Sequence, residues 1–456
     1  MKPASESSGV GEHTRLRLHP LSMRPGETID EAADGSADVG VEWIVGRMET
    51  GQFVAIPPVG RRVIELLDTG LSVAAAGARV RAENDHEQEL DIAEFVECLL
   101  ELGFVAELDG HPVTEPAPPR PTWPWLHPEH VRWMLHPLTA LTAAAIVLTA
   151  AVVASSRPQL WPARADLLWN NNRGALAILG NATVGWIIVA LHELGHLCTA
   201  RAAGAPARIT LGTRLQFLVA QTDVSGVRAA PRRIRLTVYL AGMVINLLIA
   251  SAATLARTLV PAHGIIDQTA AAACTISLLG LCAEFLLFMR TDIYFVMQDL
   301  AGAVNLYAES TNYLRYLTHH FTHGLGRYLG RPNTAPQSVD PSRSLTPRQR
   351  RHVLTYAPVL LLGTVACLVL AAFVTIPAAF AILSRAISTI LTALTTPSSS
   401  PTAPRPAQLA DAATALLLTA TMQTLWTQAW CRRHAHRARA ALHRLLHPRC
   451  DDGPHT

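Results

Sequence analysis

The order of polar and apolar positions divides the chain into a polar front and an apolar rear. Residues 1–37 are rich in Gly, Ser, Glu and Asp and lack periodicity, so a disordered N-terminus is expected there. From 38 to 110 the pattern is that of a small α+β domain. The stretches "VGVEWIVG" (39–46) and "QFVAI" (52–56) alternate as strands do, with Glu49, Thr50 and Gly51 as turn material between them. "VGRRVIELLDTG" (59–70) predicts a helix closed by Gly70. "LDIAEFVECLLELG" (90–103) predicts another, because Ile92, Phe95, Val96, Leu99 and Leu100 recur at intervals of three and four. "FVAEL" then returns as a strand. A Pro-rich linker spans 111–134, and its Trp123 and Trp125 suit a membrane interface.

Apolar runs begin near 137. A helix needs roughly 20 apolar residues to cross the hydrocarbon core, and six runs qualify, near 137–155, 175–199, 235–258, 268–289, 353–377 and 408–429. The run after Pro377 is long enough for a seventh, but Arg385 and its amphipathic spacing read as an interfacial helix. The expected fold is therefore a polytopic α-helical membrane protein with about six transmembrane helices and a small N-terminal α+β winged-helix domain. Its parts are a membrane core at 135–300, a cytosolic loop at 301–352, C-terminal membrane helices at 353–430 and a basic tail at 431–456. Composition agrees: half the residues are hydrophobic and only 16% are charged, below the usual quarter of soluble domains.

The net charge of +3 gives no reason to expect a nucleic-acid partner. Loop arginines are more informative. With six spans, 21 face one side and 4 the other, which predicts both termini in the cytosol of a bacterial cell membrane. A seventh span would send the arginine-rich tail across. That tail reads as a basic amphipathic stretch lying on anionic lipid. Seven cysteines without a CxxC pair suggest neither a disulfide framework nor a cysteine zinc site.

Within "TVGWIIVALHELGHLCTA" (183–200), an otherwise apolar segment carries His192, Glu193 and His196. Ionisable side chains inside a span cost roughly 2.5–3.5 kcal/mol each on insertion scales and usually serve a function. Imidazoles at i and i+4 share one helix face about one turn apart, within reach of one zinc ion. The adjacent Glu projects toward the open position, where it acts as general base on water. His192 and His196 are thus candidate ligands and Glu193 the candidate base. A catalytic zinc takes three protein ligands. Asp292, at the cytosolic end of the fourth span, lies at the same depth as His196 and is the candidate third. Glu284, two turns earlier, reads as a neutral or paired buried acid or as a reserve ligand.

"HELGH" in a span, "AGMVINLLIA" (241–250) and "RTDIY" (290–294) together resemble the site-2 protease family of intramembrane zinc metallopeptidases, over roughly 135–300. The resemblance implies zinc held by His192, His196 and Asp292, with Glu193 as base. It also matches Gly242 and Asn246 to a middle motif. Asn246 then sits by the scissile carbonyl or its oxyanion, or else makes a helix–helix hydrogen bond. Met243 and Ile293 replace the family's Pro and Gly, and Leu287 stands where a Pro often precedes the Asp. These departures predict a more regular helix around Asp292. Arg290 and Tyr294 fit better with a bacterial branch of peptide zinc metalloproteases.

The pattern at 38–109 resembles PqqD-like winged-helix domains, which bind leader peptides of modified peptides by strand addition; a generic winged helix for folding or oligomerisation is the plainer reading. The resemblances together imply a membrane metallopeptidase in bacterial modified-peptide maturation, with a peptide or leader-peptide substrate and the lipid bilayer as partners. The alternative is a non-hydrolytic membrane partner for peptide maturation or export.

Overall fold

The computed structural model describes residues 11, 13–25, 43–83, 91–114, 120–163, 166–167, 174–214, 217–303, 305–328, 340–396 and 404–446. The front unit contains β1 (Leu16–Leu18), β2 (Ser22–Pro25), β3 (Trp43–Arg47), β4 (Gln52–Ile56), α1 (Pro58–Asp68), α2 (Val73–Glu83), α3 (Ile92–Glu101), β5 (Val105–Leu108) and β6 (His111–Pro112). Its strands form two antiparallel sheets, ordered β1-β5-β6 and β2-β3-β4. The sequence explains the helix ends. Pro58 starts α1, where a missing N–H costs nothing. The Asp91 carboxylate accepts from the N–H groups of Ala93 and Glu94 at the start of α3, and Gly103, at φ 67°, ends it. Val45, Val63, Leu67, Val96, Leu99, Phe104 and Val105 pack into one core. Each large apolar side chain contributes about 1.5–3 kcal/mol on burial.

Two expectations for the front fail. Disorder across 1–37 does not hold for 16–25, because β1 pairs with β5 and β2 with β3. Leu16 and Leu18 alternate with Arg17 and are buried in the core, so this short alternation is a strand face. Residues 1–10 and 26–37 lie outside the described residues. The segment 120–134 is docked rather than a free linker. Thr122 bonds Ala207 and Ile209 through backbone and hydroxyl, and Leu126 and Val131 are buried against Leu197, Ala200 and Val238.

The rear is helical: α4 (Pro128–Val131), α5 (Pro137–Ser156), α6 (Gly174–Ala202), α7 (Arg232–Ala256), α8 (Ile265–Ala283), α9 (Asp292–Ala301), α10 (Leu306–Tyr328), α11 (Pro347–Leu370), α12 (Ile376–Thr395) and α13 (Pro406–Leu446). A two-stranded hairpin, β7 (Arg208–Arg214) and β8 (Phe217–Asp223), lies between α6 and α7. Among the described residues, five helical segments are long and apolar enough to cross a membrane: Pro137–Ser156, Ile178–Ala202, Arg232–Ala256, Ile265–Ala283 and Pro347–Phe373. Outward residues such as Leu141, Leu148, Leu362 and Leu368 are exposed, a surface suited to lipid chains rather than water.

The sixth expected span, 408–429, lies inside the 41-residue α13 and does not reach the same apolarity among the described residues. Gln408, Asp411, Gln423, Gln428 and several threonines dilute it. Pro377 does not separate two helices either: α11 runs into α12 through a π-helical turn at Ala371–Thr375. A π turn relaxes the hydrogen-bond ladder where the Pro N–H is missing. The backbone of α13 carries the expected tail as far as Leu446. The side chains from 433 onward, and residues 447–456, lie outside the described residues.

α6, α7 and α8 form the packed centre of the rear. Glycine sets their spacing: a Cβ on Gly195 of α6 would lie 2.8 Å from the Ile245 side chain of α7. The fully buried Arg235 of α7 grips Asp299 of α9 through bonds of 2.6 and 3.0 Å and also donates to the Ala230 carbonyl. This ion pair fixes α9 against α7.

Candidate metal centre

His192, Glu193 and His196 occupy the last turns of α6 and are all buried. Helical spacing turns both rings toward α7, where Gly242 faces them. A Cβ there would fall on the His192 ring, so only glycine lets α7 approach at that height. Asp292 arrives from a different part of the chain as the first residue of α9. Its Oδ2 lies 3.0 Å from His192 Nε2 and 2.8 Å from His196 Nε2, and the two Nε2 atoms are 3.2 Å apart. These three residues form a group able to hold a metal ion.

The hydrogen bonds decide what this triangle requires. His196 Nδ1 lies 2.7 Å from the Val238 carbonyl oxygen. A carbonyl only accepts, so Nδ1 carries the proton and donates, and Nε2 of the neutral ring is a bare lone pair. That lone pair faces another ring nitrogen and a carboxylate oxygen. Protons could bridge each ring to Asp292, yet the two nitrogens would still oppose each other at 3.2 Å. A cation equidistant from all three satisfies every contact. Ligands tetrahedral about zinc at roughly 2.0–2.1 Å are about 3.3 Å apart, close to the triangle's edges. A histidine donating its other N–H to a carbonyl is the usual support of a metal ligand. Burial opposes the charge of Asp292, but the charge His196 carries when protonated and hydrogen bonds from both rings outweigh it and hold the carboxyl well below the usual carboxylate range.

The backbone around Asp292 is not the regular helix that the missing Pro and Gly predict. α8 stops at Ala283, a short 3-10 turn covers Leu287–Met289, and α9 begins at Asp292. Side chains make the break instead. Glu284 Oε2 accepts the Asp292 N–H at 2.9 Å, the Thr291 hydroxyl donates to the Glu284 carbonyl, and Tyr356 donates to the Leu287 carbonyl at 2.8 Å. Arg290 adopts a left-handed φ of 57° without being glycine, a conformation costing about 1–3 kcal/mol and concentrated at functional sites.

Glu284 therefore serves Asp292 first. Its other oxygen lies 3.9 Å from His192 Nε2, and Glu284 stands outside the group formed by His192, His196 and Asp292. Glu193 is held by a residue that the sequence pattern did not single out: the Thr222 hydroxyl of β8 donates to Glu193 Oε2 at 2.6 Å. The alternating "RITLGTR" and "FLVAQTD" stretches were the available signal for that hairpin. Asn246 stands one turn beyond Gly242 and is buried, with Oδ1 lacking a hydrogen-bond partner. Its Nδ2 would lie 3.1 Å from a Cβ on Gly280, so it points along the α7–α8 contact. No described hydrogen bond joins it to the His–His–Asp group. Arg214, at the end of β7, is half-buried; burial pulls its pKa down, opposed by the charges of Asp292 and Glu284.

Comparison with protein-family models, with curated proteins and with solved structures finds no match.

Proposed function

We propose that the chain is a multi-pass bacterial membrane zinc metallopeptidase of site-2 protease type, whose front unit captures a peptide and presents it to His192, Glu193, His196 and Asp292. One observation carries this reading. The two imidazoles of an HExxH helix and a carboxylate about 100 residues away point ligand atoms at one place, with a buried glutamate beside them. An ion held there supplies Lewis acidity to a peptide carbonyl.

The remaining roles belong to the chain. Glu193, oriented by Thr222, takes the proton from the attacking water and returns it to the leaving amine. Val238 and Glu284 keep His196 and Asp292 in register. Asn246, with an unpaired Oδ1 and an amide donor, is available to the reacting carbonyl group. The test is metal content and cleavage of a fluorogenic peptide library, using full-length protein in detergent. Wild type holds about one zinc per chain, as a structural or catalytic site does. Glu193→Gln keeps the metal and loses roughly 10²–10⁴-fold in cleavage rate. Equal cleavage by both proteins would replace this reading with that of a non-hydrolytic peptide partner.

A further inference from the structure

A cavity of about 1420 Å³ opens between the front unit and the membrane core. Arginine supplies eight of its lining residues and acid only two. Both acids are already engaged: Asp299 by Arg235, and Asp223 by the Ser225 hydroxyl and N–H. Among the described residues, Arg208, Arg214, Arg228, Arg290 and Arg432 form no ion pair with a carboxylate. A guanidinium keeps its charge at any physiological pH. Five such charges around one space repel each other, and burial adds a desolvation cost at Arg214. Arg290 is held over Tyr307 and Phe295, 5.0 and 5.8 Å from the ring centroids, so its charge stays at the cavity wall. No carboxylate pairs directly with these five guanidiniums among the described residues, and an anionic occupant would.

Two outer strands meet the same space. Among the described residues, β4 is an outer strand of its sheet, and β7 pairs with no strand but β8, with Thr122 bonded at its start. Phe53, Val54 and Ala55 of the first line the cavity, as do residues from Arg208 to Arg214 of the second. Unpaired backbone N–H and C=O groups suit an extended chain, whereas a lipid headgroup has no use for them. Thr222 lines the cavity and also holds Glu193, so an occupant would run up to the base.

We infer that this cavity selects an acidic peptide segment, whose Asp and Glu side chains meet Arg208, Arg214, Arg228, Arg290 and Arg432 while its backbone lies along an outer strand. The inference deepens the peptidase reading by naming its substrate class, and it rests on that reading only for the cleavage step after capture. The test therefore measures capture by full-length Glu193→Gln protein in neutral-lipid nanodiscs. Fluorescence anisotropy compares a labelled Glu-Thr-Ala repeat peptide with its Gln-Thr-Ala counterpart.

The acidic peptide binds at least about tenfold more tightly, and its advantage shrinks as salt rises. Arg208→Gln combined with Arg228→Gln removes most of that advantage, in protein whose elution and metal content match the parent. Equal affinity for the two peptides, or a preference indifferent to salt, overturns the inference without needing any arginine variant. Tighter binding of soluble short-chain phosphatidylglycerol than of the acidic peptide also overturns it, in favour of a lipid headgroup. Acid-selective capture without cleavage by wild type sinks the peptidase reading alone. Cleavage with no charge preference sinks this inference alone.

Discussion

Two largely buried polar groups join α9 to the other rear helices, and they are built on opposite rules. At one end of α9, Asp299 meets Arg235: donors face acceptors, and the pair closes on itself. At the other end, Asp292 meets His192 and His196, and acceptors face acceptors. Both contacts bridge elements distant in sequence. The first needs nothing more from outside the chain. The second is a group able to hold a positive ion at its centre. Burial or charge alone does not distinguish a structural pair from a functional site. The direction of the lone pairs does.

Removing one partner from each group should sharpen that contrast most. Asp299→Ala takes the carboxylate away from the buried Arg235 guanidinium, costing about 3–5 kcal/mol of stability. Thermal unfolding in detergent reads this loss, and any correctly folded fraction still binds zinc. His196→Ala removes the metal, measured by elemental analysis, and the destabilisation disappears when wild type is compared after chelation. If Asp299→Ala left the unfolding temperature unchanged, the two ends of α9 would not differ in kind.

Smaller changes probe the supports. Glu284→Gln weakens the hold on the Asp292 N–H and should lower zinc affinity about 10–100-fold, as loss of a ligand's hydrogen-bond partner does. Competition against a chelator measures it. Gly242→Ala places a methyl on the His192 ring and so forces α6 and α7 apart. We expect about 1–3 kcal/mol lower stability together with reduced metal content, whereas Gly204→Ala, where a Cβ meets nothing, should pay only for its positive φ and keep the metal.

The smallest effect belongs to a charge pair at the surface. Arg62 grips Glu83 at 2.8 and 2.9 Å, and its hydrogen bonds draw the exposed Glu83 carboxyl down to about 2. A depressed carboxylate stabilises the fold above its ordinary pKa and loses that contribution as pH falls through the lowered value. Hydrogen exchange of α1 and α2 amides should therefore quicken slightly between about pH 4.5 and about pH 2. Glu83→Gln should flatten the change.

The chain showed its ligands more openly than their supports. HELGH declares two imidazoles on one helical face, and Asp292 comes after a span of suitable length. α1 and α3 of the front unit could be read from their periodicity and from Gly103, whereas α2, β1 and β2 were not marked out. Three further things stayed hidden, each for a physical reason. The β7–β8 hairpin sits in a stretch crowded with arginines, where loop charge masks a two-residue alternation. The break before Asp292 uses Glu284, Thr291 and Tyr356 hydrogen bonds instead of Pro or Gly, and tertiary hydrogen bonds leave no local signature. α13 is longer and more polar than a span, so its apolar middle suggested a shorter element than the one that forms.

The separation of the ligands also has a consequence in time. His192 precedes Asp292 by 100 residues, and a ribosome adds about 5–20 residues per second. For roughly 5–20 seconds a nascent copy of this protein carries both imidazoles without the carboxylate. Any ion caught in that interval is held by two ligands, weakly enough to be exchanged. Selection of any metal that this group holds would thus be deferred until α9 has been synthesised and has docked.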